Sequence, residues 1–237
     1  MKLILNGGGS AEKTKLINQL FNNIIDNNKP VLYIPLAMEF EKYHSCLDWI
    51  TNELSIVQFN KIDMISNAND INNINLSNYG AIFIGGGNTF KLLSELKASG
   101  VFEKIKKFAI NDGVIFGGSA GSIIFGKDIS VCEYMDENLV LLNDTSGFNL
   151  INEVSLVAHY TNQNEEKHKR ATEFLLEYSQ NNKIIALPEE DSLYINNDLY
   201  QVVGTKDYYL FYNKKIIKLS PNIEYSKQEF NNLFYNL

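Results

Sequence analysis

The sequence predicts an α/β protein: a mostly parallel sheet, helices on both of its faces, and extra antiparallel strands toward the C-terminus. Three observations carry this. Short runs rich in β-branched and aromatic residues alternate with longer amphipathic stretches through the first half of the 237 residues, an order that yields parallel strands joined by crossover helices. Toward the end, strand-like runs follow one another with only turn residues between them, a spacing suited to hairpins. Glycine clusters stand directly after three of the early runs, at 7–9, 85–87 and 117–118, where they allow backbone conformations and close approaches closed to other residues.

In chain order, Lys2–Asn6 reads as the first strand and 12–25 as a helix, on the four-residue spacing of Leu16, Leu20 and Ile24. Residues 31–35 read as a strand, 39–54 as a helix, 56–59 as a strand and Ala81–Ile84 as another. A helical pattern spans 89–110, broken near Gly100, and leads into a strand at 114–116. Strands are expected at 139–142 and 154–158, followed by a long helix over 164–178. The closely spaced strand runs are 184–187, 192–195, Leu199–Val203, Tyr208–Tyr212 and 216–219, with Asn196-Asn197-Asp198 as a hairpin turn. Ser226-Lys227-Gln228-Glu229 has the pattern of a capping box opening a terminal helix. Neither a linker-like stretch nor an internal repeat divides the chain, so one domain, 1–237, is expected.

Composition narrows the function. Hydrophobic residues at 45% and charged ones at 21% are globular proportions. Lys and Arg number 21 against 28 Asp and Glu, a net charge of −7 that repels phosphate backbones and anionic membranes. No nucleic acid is therefore expected as a partner. No apolar run is long enough for a transmembrane helix, and no membrane association is expected. Two cysteines, Cys46 and Cys132, make neither a disulfide framework nor a cysteine zinc site, which favours a reducing cytoplasm.

The chemistry concentrates at Gly117-Gly118-Ser119-Ala120-Gly121-Ser122, which follows an expected strand and precedes Ile123-Ile124-Phe125. This is the G-x-S-x-G pattern of a nucleophile elbow. Its turn forces the serine into a strained conformation that only small neighbours tolerate, and every residue from 117 to 122 is Gly, Ala or Ser. A phosphate-binding or merely tightly packed glycine turn is the plainer alternative. Gly85-Gly86-Gly87-Asn88-Thr89-Phe90 is a second glycine loop after a strand, with backbone amides open to a ligand. Neither it nor Gly7-Gly8-Gly9 keeps the dinucleotide spacing G-x-G-x-x-G, since Phe90 and Glu12 stand where the last glycine should.

A nucleophilic serine needs a base. His44 and His168 lie in charged helical surroundings and read as surface residues, whereas His159 follows the apolar run Val154-Ser155-Leu156-Val157-Ala158, at the same sheet edge as the elbow. Glu189, Glu190 and Asp191 follow another strand and are candidates to orient that histidine, with Asp128, Asp136 and Asp144 as rivals. Pattern alone does not choose among them.

Assembled in order, these segments resemble the aspartyl dipeptidase (peptidase E) family of serine peptidases, which includes cyanophycinase. Gly85 to Phe90 with Leu92-Leu93 is similar to the family's glycine loop, Ser119-Ala120-Gly121 to its elbow, Ala158-His159-Tyr160 to its histidine segment and Leu187-Pro188-Glu189 to its glutamate segment. The resemblance implies a flavodoxin-like, three-layer α/β/α fold related to class I glutamine amidotransferases. It implies a catalytic triad of Ser119, His159 and Glu189, an oxyanion hole made by the backbone N–H groups of Gly87 and Ala120, and a role for Asn88 in substrate binding. The implied reaction is acyl transfer on a small peptide, without metal or organic cofactor. Aspartate-selective members carry an arginine on the helix after the histidine; this chain has Lys167 there and Arg170, its one arginine, a turn further on. Glu190 stands where the family often has glycine. The expected activity is exopeptidase cleavage after N-terminal Asp or another acidic residue. Alternatives are a cyanophycinase-like, isoaspartyl or other amide or ester hydrolase using the same triad, or a non-catalytic binding module. A homodimer is the default expectation for assembly.

Overall fold

The computed structural model describes residues 1–235. Five parallel strands form one side of an eight-stranded sheet, with β3 at its edge: β1 (Lys2–Asn6), β2 (Val31–Ile34), β3 (Ile62–Met64), β4 (Ala81–Ile84) and β5 (Val114–Gly118). Next come β6 (Val154–Val157), β7 (Lys183–Ala186), β8 (Ser192–Asn196), β9 (Leu199–Val203), β10 (Tyr208–Tyr212), β11 (Lys215–Leu219) and β12 (Glu224–Ser226). The large sheet has the order β12-β9-β8-β1-β5-β4-β2-β3, and a four-stranded sheet has the order β11-β10-β7-β6. The strands added by the C-terminal part, β8, β9 and β12 in one sheet and β10 and β11 in the other, pair antiparallel, while β6 and β7 pair parallel.

Alternation along the central strands sorts side chains into two cores, as the period of two requires. Leu3 and Leu5, Leu32 and Ile34, Ile82 and Ile84, and Ile115 face one way. They pack with α3 (Thr89–Ala98), α4 (Val101–Ile110), α5 (Ala120–Ile123) and the small sheet. Ile4, Val31, Tyr33, Phe83 and Phe116 face the other way, onto α1 (Lys15–Ile24) and α2 (Tyr43–Glu53). The long helix α6 (Glu165–Tyr178) buries Ala171 and Leu175, and α7 (Lys227–Tyr235) closes the described chain. The result is a mixed α/β sheet with helices on both sides. No helix among the described residues is long and apolar enough to cross a membrane.

Several sequence expectations hold: the helical pattern of 89–110 breaks at Gly100, whose φ is 72°. Ser226 and Glu229 form the capping box, with the Ser226 amide donating to Glu229 Oε2 and the Glu229 amide to Ser226 Oγ. Others need correction. Residues 56–59 are not a strand; the chain turns there, with the Val57 amide donating to Leu54 O and the Gln58 amide to the Asn22 side chain. The third parallel strand comes later, at 62–64, where Ile62 registers with Val31. Residues 139–142 are an exposed turn held by both ends of the Asn138 amide, with Leu141 at φ 52°. The buried stripe of α1 is Ile17, Asn18 and Phe21, while Leu16 is exposed and Leu20 and Ile24 only flank it. The short strand β12 pairs with β9 and carries no sequence signal of its own.

Candidate active site

The elbow forms where β5 meets α5. Ser119 has φ 53° and ψ −114°, a sparsely populated conformation for a residue with a Cβ. It is pinned by its own amide donating to Asn6 O (3.2 Å), while its carbonyl receives the amides of Ser122 and Ile123. The Ser122 hydroxyl, fully buried, lies 2.8 Å from Asn6 O and 2.7 Å from Gly117 O, tying the elbow to β1. The amides of Gly87, in the glycine loop, and Ala120, next to the serine, donate to no acceptor among the described residues.

His159 lies two residues beyond β6 with φ 56°, its amide donating to Gly7 O (2.9 Å). The Ser119 hydroxyl is 2.8 Å from His159 Nε2, and His159 Nδ1 is 2.8 Å from Glu189 Oε1. An ionised carboxylate only accepts, so Nδ1 carries the proton, and Nε2 presents its lone pair to Ser119. Glu189 is thus the acid that meets the histidine. Glu190 accepts from Asn162 instead, and Asp191 turns into the interior. Asp128 caps a short 3₁₀ turn, Asp136 receives the amide and hydroxyl of Thr89, and Asp144 pairs with Lys97.

The loop after β1 holds these groups in line. Gly9 donates to Glu189 O, Gly7 donates to Asp191 O, and the Asn6 side chain receives the amides of Gly8 and Gly9. A Cβ on Gly8, at φ 104°, would lie 2.2 Å from His159 Cε1 and 2.4 Å from Nε2. Only a glycine lets the loop lie against the imidazole. The same loop supplies Lys13, whose Nζ donates to Glu189 Oε2, while Asn162 Oδ1 receives the Glu189 amide. Burial works to raise the Glu189 carboxyl, but the hydrogen bonds from Lys13 and His159 outweigh it and hold the group below the usual range for glutamate. The Glu189 hydrogen bond in turn raises the Lys13 ammonium above its ordinary value. Neither Lys13 nor Asn162 stands out in the sequence; the run of three glycines after β1 is the one local signal that this loop approaches something closely.

Ser119 and His159 open into a cavity of about 840 Å³, lined also by Gly87, Asp136, Lys167 and Arg170. Arg170 Nη2 donates to Glu166 one turn back, and Lys167 forms no ion pair among the described residues. Asn88 caps α3: its Oδ1 accepts from the Lys91 amide and its Nδ2 donates to Glu137 O, so both polar ends are engaged. His44 is exposed, as expected. His168 is not the solvated residue that its neighbours suggest; its Nδ1 donates to Tyr160 O and its ring packs 4.7 Å from the Tyr160 ring, bracing the segment after His159.

A serine at the elbow of a mixed α/β sheet, with an imidazole and a carboxylate in line behind it, describes a hydrolase of the class I glutamine amidotransferase-like fold. The model of peptidase family S51 matches residues 3–203. The chain belongs to that family and is a serine peptidase. It is 29% identical over 196 residues to the peptidase E of Shewanella denitrificans, covering 80% of each chain. To the peptidase E of Haemophilus influenzae it is 26% identical over 220 residues, 87% of this chain and 85% of the relative. A crystal structure of a peptidase from an acI-B1 Actinobacterium shares the fold, with a TM-score of 0.73 at 17% identity over 95% of this chain and 96% of that one.

Proposed function

We propose that this protein, working as one domain, is an exopeptidase that hydrolyses small peptides with N-terminal Asp or another acidic residue through an acyl-enzyme on Ser119. The observation that carries this reading is the line Ser119 Oγ, His159 Nε2, His159 Nδ1, Glu189 Oε1, with 2.8 Å at each hydrogen bond. As the Ser119 oxygen bonds to the substrate carbonyl carbon, its proton passes to His159 Nε2. The oxyanion is held by the amides of Gly87 and Ala120, a contribution worth roughly 10²–10³ in turnover per donor. The C–N bond breaks as Nε2–H protonates the departing amine. Water then attacks the ester, gives its proton to Nε2, and Ser119 leaves with that proton restored. Glu189, kept ionised, stabilises the transient imidazolium.

Preference for an acidic residue rests on Lys167, which has no ion-pair partner among the described residues, and on Arg170 beside it in the same cavity. Two buried free thiols, Cys46 and Cys132, suit a reducing cytoplasm. The test is release of p-nitroaniline from Asp-, Glu-, Ala- and Leu-p-nitroanilide by wild-type and Ser119→Ala protein. Cleavage of the acidic substrates, lost by at least about 10³-fold in the folded variant, is expected. Full activity in Ser119→Ala would refute the mechanism, and indifference to the acidic residue would leave a broader amide hydrolase.

A further inference from the structure

Ser119 borders a second, smaller space on the side of the sheet that packs onto α1 and α2. It measures about 80 Å³, room for several waters at roughly 10–15 Å³ each. Gly8, Gly9, Gly86 and Gly118 keep its walls thin next to the serine, and Trp49, Phe83 and Phe116 supply three aromatic rings. Phe83 stacks on Phe116 at 4.5 Å between centroids and meets Trp49 edge-on at 6.2 Å. Asn6 and Glu53 complete the wall; the Asn6 side chain is engaged at both ends, its Nδ2 donating to Asp191 O and Ser192 Oγ and its Oδ1 receiving Gly8 and Gly9, whereas Glu53 is only 4% exposed. Its Oε1 receives the Thr14 hydroxyl (2.6 Å) and the Asn18 amide (3.2 Å), both neutral donors. Among the described residues no hydrogen bond reaches its Oε2, no ion pair involves it, and no basic side chain lines the space.

Glu53 Oε2 is thus the unengaged oxygen of the one acidic side chain that lines the space, an acceptor suited to a cationic donor, and aromatic walls favour a cation rather than an anion or a neutral polar group. Nothing in the Ser119–His159–Glu189 line uses Glu53, and its helix α2 contributes no residue to the lining of the larger cavity. We propose that this space is a subsite for an organic cation, a primary ammonium group, received by Glu53 against the Trp49, Phe83 and Phe116 wall. Cation binding stands on this geometry alone. That the cation belongs to the substrate rests on the hydrolase reading above, and two sources share the chemistry: the α-ammonium of the residue being released, or a basic side chain on the departing residue.

Trp49 is the only tryptophan of the chain, so its fluorescence reports on the space directly. Methylammonium chloride is titrated into the wild-type protein and Glu53→Gln, with methanol as the neutral match and potassium chloride as the ionic control. A saturable change in the wild type that is weakened about tenfold or more in the variant, and not reproduced by the controls, is expected for loss of a charge-assisted hydrogen bond. No saturable change in the wild type, or equal binding in Glu53→Gln, overturns the proposal. If Glu53→Gln does not fold, Trp49→Leu at the half-exposed rim, followed by calorimetry, serves instead: severalfold weaker methylammonium binding supports the site and unchanged binding refutes it.

Two substrate ratios then separate the sources. If the α-ammonium is read, Glu53→Gln lowers the preference for Asp-p-nitroanilide over succinyl-p-nitroanilide, which lacks that group. If a basic departing side chain is read, the variant lowers the preference for Asp-Lys over Asp-Leu. Both ratios unchanged would refute a substrate subsite. Absence of cleavage of these Asp substrates by the wild type would refute the acidic-exopeptidase reading, while the methylammonium titration still decides the cavity.

Discussion

Lys13 lines neither of the spaces beside Ser119, yet its ammonium fixes one oxygen of Glu189 while His159 takes the other. It is a positioning residue: it orients the carboxylate and keeps it ionised. In Lys13→Met, kcat falls severalfold with KM little changed, because the half-exposed ion pair is partly screened. Lys13 is part of what holds Glu189 below the usual glutamate range, so without it Glu189 takes up its proton at higher pH and the acid limb of the kcat/KM profile moves the same way, and Lys13→Arg restores it. A profile identical to wild type would reduce Lys13 to a surface contact. Gly8→Ala tests the other side of the imidazole. Its methyl would lie 2.2 Å from His159 Cε1 at a φ of 104°, so the ring must swing away from Ser119. The expected result is loss of most activity in a protein whose circular dichroism is native.

At the scale of elements, the break between α3 and α4 depends on Gly100. It sits at φ 72°, and a methyl placed on its Cα would have nothing within 4 Å, so a side chain there meets no steric neighbour and feels only the left-handed backbone. Gly100→Ala should cost about 1 kcal/mol in urea unfolding and leave peptidase activity intact. The break matters because α3 begins at the glycine loop: Asn88 caps it, and Asp136 binds Thr89 at its first turn. Periodicity and a single glycine made this break legible in the sequence. The misplaced strands at 56–59 and 139–142 show the opposite case. Both are short apolar runs, but Leu139 and Leu141 are about four-fifths exposed, and neither run pairs with a strand of either sheet. A run of that length becomes a strand only if a partner edge is available.

Across the whole molecule, stability couples to pH through Asp191. The side chain is fully buried where the loop after β7 enters β8, its Oδ1 receiving the amides of Thr205 and Lys206 and its Oδ2 receiving nothing. Burial, only partly offset by those amides, pushes its carboxyl up to about 6. The folded state thus holds the proton more tightly than the unfolded chain. Stability from this group is full below the unfolded value near 4, declines as pH rises through 6, and is then constant, a loss on the order of 2–3 kcal/mol. Chemical denaturation from pH 4 to pH 8 should follow that decline in the wild type and flatten in Asp191→Asn. An unchanged slope in the variant would assign the pH dependence to other groups.

The sequence by itself determined the α/β class, the strand-to-helix turn that carries Ser119, and the choice of His159 over its two companions, because each depends on local pattern: periodicity, small residues in a tight turn, and a polar residue after an apolar strand. Local pattern stopped there: the family resemblance pointed to Glu189 without a physical reason, and only the tertiary structure supplies one. Which of three adjacent acids reaches the histidine depends on how the loop after β7 is threaded beneath Gly7, Gly8 and Gly9, a contact between residues some 180 positions apart. Lys13, Asn162 and Glu53 look in sequence like any surface Lys, Asn and Glu. Their distinction is the desolvated company they keep, and burial and opposed charges are properties of the folded arrangement rather than of the chain.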